Sequence, residues 1–504
     1  MKTSYILMII TIISKVFGLV REQALAFFFG KGDIADIFLV AFSLPMMITN
    51  VISGALANGY IPTFNNIKAK AGEEKANEFT ANLSNIIGLI FLIISLLAII
   101  FARPLVKLMA QGFSDEKLET AVFVTRAALL SVSATAVFSI FKAYLQINNK
   151  FIISVLHAII MNVIIIIFLG LSSKWGINYL ACGIFLAFVF QYAIFIRPLK
   201  KSGYRHKKII NFKDRDIKKL LKLILPILIS SSAIEINFMI SKSLASEVFE
   251  GGISILNYAY KLQSFVTGIV VTSIITAVYP SMAKFGAVKD FQGLRGSTKE
   301  SLSTMSVLVI PAGLGLFTFA LPIVRLLFMR GKLNMDDAVS IARVLQYYAL
   351  GVFPIGFREI LSRIYYSLDD TKKPVVNSLL IVLVNIVLSF ILARSMGLVG
   401  LALATTISFV VGAISFIGSS KKLVGNIFDR NLLINLGKIL IASLIMAISS
   451  KFIFITLSDK LSSNLALLVT IICAGLIYGV LIIIFQVKEI KFLLEKFVKF
   501  KKNG

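Results

Sequence analysis

The stretch from Ser4 to Gly30, SYILMIITIISKVFGLVREQALAFFFG, decides how the rest of the chain is read. It is long enough to cross a bilayer, for which about 20 apolar residues suffice. Yet it carries Lys15, Arg21 and Glu22 within its length. One unpaired charge near the bilayer centre costs about 3 kcal/mol on insertion scales, so such groups face a protein interior or a wet cavity. At about 100° per residue, Lys15 and Glu22 share one helix face, and Gly18 lies between Lys15 and Arg21 as a candidate hinge. The pattern implies a membrane helix that presents cations to an anion inside a cavity.

The chain bears this out along its length. It has 504 residues, 58% of them hydrophobic, with a mean hydropathy of +0.90, which marks a polytopic membrane protein. About fourteen segments of spanning length can be drawn, near 4–30, 34–60, 80–102, 121–146, 151–173, 177–198, 220–246, 254–282, 301–328, 338–367, 374–394, 398–419, 433–457 and 463–487. The net charge of +27 falls in short connections between apolar spans. Positive-inside sorting accounts for that charge without any nucleic acid, and it places both termini in the cytoplasm. The apolar N-terminal run has no small-residue cleavage site after it and reads as a retained helix. Cys182 and Cys473 are far apart, and His157 and His206 form no cluster, so no disulfide framework or metal motif is legible. With no convergent acids, nucleophile–base pair or phosphate-binding loop, the chain reads as no enzyme and no ATPase.

The most basic connection, Arg197 to Lys222, separates two related halves. Attraction to anionic inner-leaflet lipid is its default explanation. Ala41 to Pro62 matches Ala259 to Pro280, an offset of 218 residues. AYLQINNK (Ala143 to Lys150) resembles YYSLDDTK (Tyr365 to Lys372), Asn162 corresponds to Asn385, and Gly176 to Gly397. Six spans separate the copies, so the repeats are parallel, an architecture found among alternating-access transporters. The expected organisation is an N-lobe at 1–199, a basic cytoplasmic linker at 200–218, a C-lobe at 219–422, and an appendix at 423–504 with two further spans and a basic tail.

Polar residues recur on single faces of the first two spans of each half. Asp36, Ser43 and Asn50 are spaced by sevens, with Pro45 able to bend the helix beside them. Asn257, Lys261 and Ser264 share a face of the eighth span, Glu235 and Lys242 of the seventh, and Glu359, Arg363 and Tyr366 of the tenth. Glu235 can neutralise a neighbouring cation or bind Na⁺ or H⁺.

SKVFGLVREQALAFFFGKGDIADIFLVAFSLP, beginning at Ser14, resembles the opening signature of the MurJ/MviN proteins, and RIYYSLDDTKKPV, Arg363 to Val375, resembles a second motif of that family. Membership of the MOP exporter superfamily is what the resemblance implies. The implied fold is all-α, with two six-helix lobes and two C-terminal helices that supply a groove for a lipid tail. The implied activity is translocation of lipid II, a polyprenyl-pyrophosphate-linked peptidoglycan precursor, across the bacterial cytoplasmic membrane for cell-wall synthesis. Coupling to Na⁺, H⁺ or the membrane potential is expected, with membrane lipids and the cell-wall synthesis machinery as partners.

Carried over by position, Arg21 matches the first-helix arginine and Asp36 its acidic partner, while Lys15 and Lys261 stand where the family has arginine. The expected substrate-binding set is Lys15, Arg21, Glu22, Asp36, Asn50, Ser53, Lys261, Ser264 and Arg363. Asn50 falls where a further arginine is expected, and Ser53 and Ser264 replace acids. A cation site, by the same resemblance, would fall on Glu235, Asn385 and Thr405, with Ser389 in place of a carboxylate. A flippase for another polyprenyl-linked glycan shares all these features. A drug/cation antiporter would need an acidic cavity, against the basic one read here.

Overall fold

A computed structural model of the chain describes residues 2–487; the basic tail from Lys488 onward lies outside them. All regular structure among the described residues is helical, in seventeen helices. Eleven of the spans they form are long and apolar enough to cross a membrane, or twelve if one bent pair is counted as a span. Two more helices reach the expected fourteen by length alone. These are α1 (Lys2–Phe29) and α8 (Arg215–Val248), which carry charged residues in their interiors.

By packing, the chain divides into two units, Met1–Ser254 with Arg330–Leu333, and Ile255–Met329 with Asn334–Gly504. The first holds α1, α2 (Asp33–Ile100), α3 (Ala102–Met109), α4 (Asp115–Leu129), α5 (Val132–Ile147), α6 (Phe151–Trp175), α7 (Ile177–Lys201) and α8. Sequence symmetry assigns α8 to the second half, but in this conformation it packs along α2 within the first unit.

Helix α2 contains two expected spans. The sequence suggests a loop around Lys68 to Lys75, whereas the chain stays helical except at Gly72 (φ 85°, ψ 173°). A positive φ suits glycine, which has no Cβ to clash. The break folds the limbs together. Tyr60 on the first limb bonds Thr80 on the second at 2.8 Å and stacks on Phe79. Around this hinge Phe64, Phe138, Tyr144 and Phe195 form an aromatic core. Helices α4 and α5 form the bent pair, at 42°.

The second unit continues through α9 (Gly252–Ala287), α10 (Phe291–Thr318), α11 (Ala320–Phe328), α12 (Met335–Leu350), α13 (Val352–Ser367), α14 (Lys372–Met396), α15 (Leu398–Val424), α16 (Arg430–Ser458) and α17 (Ser463–Ile484). The appended α16 and α17 pack on each other and on α10 and α11. The Tyr478 hydroxyl donates to the Val307 carbonyl at 2.7 Å, and Lys299 pairs with Asp429 at the start of α16. Small residues let the backbones approach, as is common between membrane helices. A Cβ on Gly286 would lie 2.1 Å from the Ser367 carbonyl oxygen, for example.

The repeat is visible in the backbone. Asn149 (φ 57°) and Asp369 (φ 59°), each two residues past the end of α5 or α13, both adopt the left-handed conformation that Asn and Asp tolerate best after glycine. The backbone thus pairs the halves here two residues off the match of Ala143–Lys150 with Tyr365–Lys372. Each precedes a matching turn bond, Lys150 N–H to Leu145 O and Asp370 N–H to Tyr365 O. Gly176 and Gly397 also share positive φ.

Candidate functional site

The first unit's site is built at the turns between α1 and α2 and between α8 and α9. Only three residues separate α1 from α2, so the ends of both helices are held close. Asp33 and Asp36 lie in the first turn of α2, where the helix dipole favours negative charge. Asp36 is 1% exposed. It accepts hydrogen bonds from the Lys117 ammonium of α4 at 3.0 Å and from both the backbone N–H and hydroxyl of Ser254 at 2.8 Å each. Lys117 also pairs with Asp33 at 2.8 Å and lies over the Phe113 ring. Charge-assisted bonds of this kind are about twice as strong as neutral ones.

Further contacts surround this point. Lys31 lies over the Phe249 ring, Gly112 N–H donates to Ser246 Oγ at 3.0 Å, and Lys332 N–H donates to the Phe27 carbonyl at 3.0 Å. The Lys242 ammonium caps the Leu39 carbonyl at 3.0 Å. Segments 249–254 and 330–333, from the second half of the sequence, are thereby closed onto the first half. Lys117, Ser254, Ser246 and Gly112 do not stand out in the sequence. Lys117 reads there as a loop cation, and the other three are small residues without charge.

Arg21 and Glu22 are both buried, at 5% and 0% exposure. They pair with each other, and the guanidinium sits 4.5 Å from the centre of the Phe42 ring. Arg21 Nε keeps a buried N–H without a partner. Asp36 is therefore not the acidic partner of Arg21. Arg21 stands eight residues before the end of α1, about 12 Å along the axis, whereas Asp36 lies in the first turn of α2. Lys15 is half-buried on the same helix. Helix α1 runs unbroken through Gly18, where a Cβ would meet nothing within 4 Å. Pro45 is buried, and the one non-helical residue inside α2 is Gly72, not Pro45.

Further along α2, Asn50 donates to Glu235 Oε1 of α8 at 3.0 Å, and Ser53 donates to Ser139 of α5 at 3.1 Å. The polar residues of α2 thus meet four helices: α4 and the start of α9 at Asp36, α8 at Asn50 and α5 at Ser53.

In the second unit, Lys261 is half-buried on α9, and the Ser264 hydroxyl donates to the Lys261 carbonyl at 3.1 Å. Arg358 and Arg363 share the Glu359 carboxylate. Arg363 also lies against the rings of Tyr279 and Tyr366, a cation–π arrangement. Asn385 donates to Thr405 Oγ1 at 3.0 Å and accepts from Ser389 at 3.3 Å. These three satisfy one another, and Glu235 is engaged by Asn50 in the first unit. No group of three His, Cys, Asp or Glu placed to hold a metal occurs among the described residues.

Comparisons with known proteins bear on this arrangement. A family model described as lipid II flippase MurJ matches residues 25–471. A probable lipid II flippase MurJ of Rickettsia prowazekii is 30% identical, over 81% of each chain. One of Bdellovibrio bacteriovorus is 26% identical over 95% of this chain and 93% of its own. A solved lipid II flippase MurJ in an inward closed conformation superposes with a TM-score of 0.83 at 26% identity, covering 95% of this chain and 98% of that one. An inward-facing MATE-family transporter of the MOP superfamily shares the fold, with a TM-score of 0.69 at 14% identity over 81% of this chain and 94% of its own. On the family match across most of its length, the chain belongs to the lipid II flippase MurJ family.

Proposed function

We propose that the chain translocates lipid II from the inner to the outer leaflet of the bacterial cytoplasmic membrane by alternating access. The observation that carries this reading, beside family membership, is the closure at Asp36, where two turns related by the repeat are joined around one buried carboxylate. In this reading the closed end faces outward and both termini lie in the cytoplasm, on the side of the Lys-rich connections. The Asp36 carboxylate opens and reforms its bonds to Ser254 in each cycle.

Cations for the pyrophosphate are Lys15 and Arg21 on α1 and Lys261 and Arg363 in the second unit. A diphosphate prefers guanidinium because its forked donors match two oxygens at once. Arg21 is already oriented by Glu22 and Phe42, and its unused Nε–H is a donor for a phosphate oxygen. Helices α16 and α17 would accommodate the polyprenyl tail along α10. Coupling by Na⁺, H⁺ or the membrane potential resets the cycle, with Glu235 as the titratable group. Asn50 and Ser53 are neutral where charge is expected from the resemblance, which favours, as a second reading, a related polyprenyl-linked glycan.

The test is complementation of a strain depleted of its lipid II flippase, using wild type, Arg21→Ala and Lys261→Ala at matched membrane abundance. Rescue by wild type but not by the variants supports the proposal. No rescue by well-expressed wild type passes the substrate to the second reading. Rescue by all three removes the assigned cations.

A further inference from the structure

The basic connection between α7 and α8 has no regular structure from Tyr204 to Asn211, yet it is held firmly. Asn82 and Asn85, three residues apart on one face of α2, act as its clamps. Asn82 accepts from Asn211 N–H at 2.7 Å and donates to the Asn211 carbonyl at 3.2 Å and to Asp214 at 3.3 Å. Asn85 donates to the carbonyls of Lys207 and Ile209, both at 2.9 Å. The Lys207 ammonium reaches Glu74 at 2.9 Å and Glu78 at 2.8 Å. Asp214 also caps α8, accepting from the N–H groups of Asp216 and Ile217.

On this fixed platform two large apolar side chains are turned outward, Ile210 at 55% exposure and Phe212 at 53%. Exposed cations flank them, namely Lys208, Lys213, Arg215, Lys218, Lys219 and Lys222, with Asp216 the one exposed acid among them. A loop that only had to join two spans would gain nothing from rigid apolar projections in water. Their depth suggests their use. Leu221, Leu223 and Leu225 of α8 are exposed in the manner of lipid-facing residues. Arg215 precedes Leu221 by six residues, about 9 Å along a helix. That distance is comparable to the headgroup layer of roughly 5–8 Å on each side of the hydrocarbon core.

We infer that this loop is an interfacial anchor for anionic phospholipid. Ile210 and Phe212 seat at the boundary of the acyl chains, and the surrounding lysines and Arg215 engage headgroup phosphates. Charge complementarity selects the occupant. Cations near a surface gain from anionic lipid, and an apolar pair among them adds affinity that a neutral surface also offers. Because Asn82 and Asn85 tie the loop to the second limb of α2, lipid held here bears on that limb and, through the Tyr60–Thr80 bond, on the limb that carries Asp36 and Asn50.

The test uses the full chain with Trp175→Phe and Phe212→Trp, leaving one tryptophan, in nanodiscs of phosphatidylcholine alone or mixed equally with phosphatidylglycerol. In the mixed discs the introduced indole should emit at shorter wavelength, be quenched by acyl-brominated lipid roughly twofold more than in the neutral discs, and resist iodide. Adding Lys208→Gln, Lys213→Gln and Lys218→Gln should abolish the difference between the two lipids. Size-exclusion profiles matching wild type confirm that the variants fold. Equal iodide quenching of the indole in both lipids overturns the proposal, as does a charge-depleted variant indistinguishable from its parent. Shielding of the indole only when a cytosolic extract is added would assign the surface to a protein partner and overturn it equally.

Discussion

Asp36 and Ser254 are hydrogen-bonded to each other through two bonds of 2.8 Å, and they lie 218 residues apart, the offset that relates the two halves of the sequence. Each is thus the symmetry mate of the other, as expected of residues beside the axis between parallel repeats. Lys31 and Phe249, in contact nearby, are separated by the same offset. The symmetry is broken chemically, with an acid in one copy and a hydroxyl in the other. Two carboxylates facing each other here would repel, whereas an acid facing a serine makes a closure.

That asymmetry predicts the effect of Asp36→Ala, which removes the acceptor of both Ser254 bonds. Hydrogen bonds to a charged group contribute about 1.5–3 kcal/mol each, so losing two shifts the balance of closed and open forms roughly a hundredfold or more. The reporter is Ile253→Cys, at a position only 1% exposed, in a chain with Cys182 and Cys473 replaced. An impermeant thiol reagent should label it at least tenfold faster once Asp36→Ala is added. Asp36→Asn, which keeps an oxygen for Ser254, should label more slowly than Asp36→Ala. Unchanged labelling with Asp36→Ala would mean that the closure is held elsewhere.

Two glycines lie at matching positions in the closure. A Cβ on Gly112 would come within 2.0 Å of the Ser246 carbonyl oxygen, and one on Gly331 within 2.2 Å of the Phe27 carbonyl oxygen. Both contacts pair a loop of one half with the end of the first span of the other. Neither backbone oxygen can move aside alone. Gly112→Ala and Gly331→Ala are each expected to open the closure, with Gly331→Ala the more damaging because its φ of +69° adds strain to the clash. Faster Ile253→Cys labelling and a lower thermal midpoint should rank the variants in that order. Gly18→Ala is the contrast, since its Cβ would meet open space, and it should leave both readouts unchanged.

Much of this architecture is legible in the sequence because bilayer physics leaves a strong mark. Apolar length, positive connections and the repeat give the spans and their order. Individual side chains are harder. A helical wheel puts Asp36 and Asn50 on one stripe of α2, but it does not say which helix each meets, and Asp36 meets α4 and the start of α9 while Asn50 meets α8. Lys117 is hidden because it lies in the first turn of its helix, where a sequence shows only a charge beside a loop. Arg21 is recognisable as buried charge, but its neutralisation by the adjacent Glu22 runs against the expectation that neighbours in a helix face apart. The sharp break at Gly72 is masked because the flanking residues are strong helix formers.

A pH effect is expected where α16 joins the bundle. Asp429 lies outside the spans, and its carboxylate is held below the usual range first by the hydrogen bond from Lys299 and then by Leu432 N–H at the helix start. Since the folded chain releases this proton more readily than the unfolded chain, the interaction stabilises fully above about pH 4 and is lost as the pH falls from there through the lowered folded value. Wild type should therefore melt above Asp429→Asn at pH 7, and their melting points should converge in acid below about pH 4. Curves separated by a constant gap across that range would assign the loss to helix capping rather than to the titrating carboxylate.

Glu235 provides the sharpest test of coupling. It receives a hydrogen bond from Asn50 at 3.0 Å, and Lys242 lies seven residues further along the same helix. Glu235→Gln keeps an oxygen for Asn50 but cannot lose or take up a proton, and it binds Na⁺ less well. If its role is only to hold α8 against α2, the variant should transport normally. Our assignment of Glu235 as the titratable coupling group predicts a different result. Ile253→Cys labelling should be unchanged, because the Asn50 bond survives, while flipping of a fluorescent lipid II analogue in proteoliposomes should no longer respond to an imposed Na⁺ or H⁺ gradient. A gradient response that persists in Glu235→Gln would show that the energy enters at another group. The polar trio of Asn385, Ser389 and Thr405 would then be the next to vary, beginning with Asn385→Ala, which removes both of its hydrogen bonds at once.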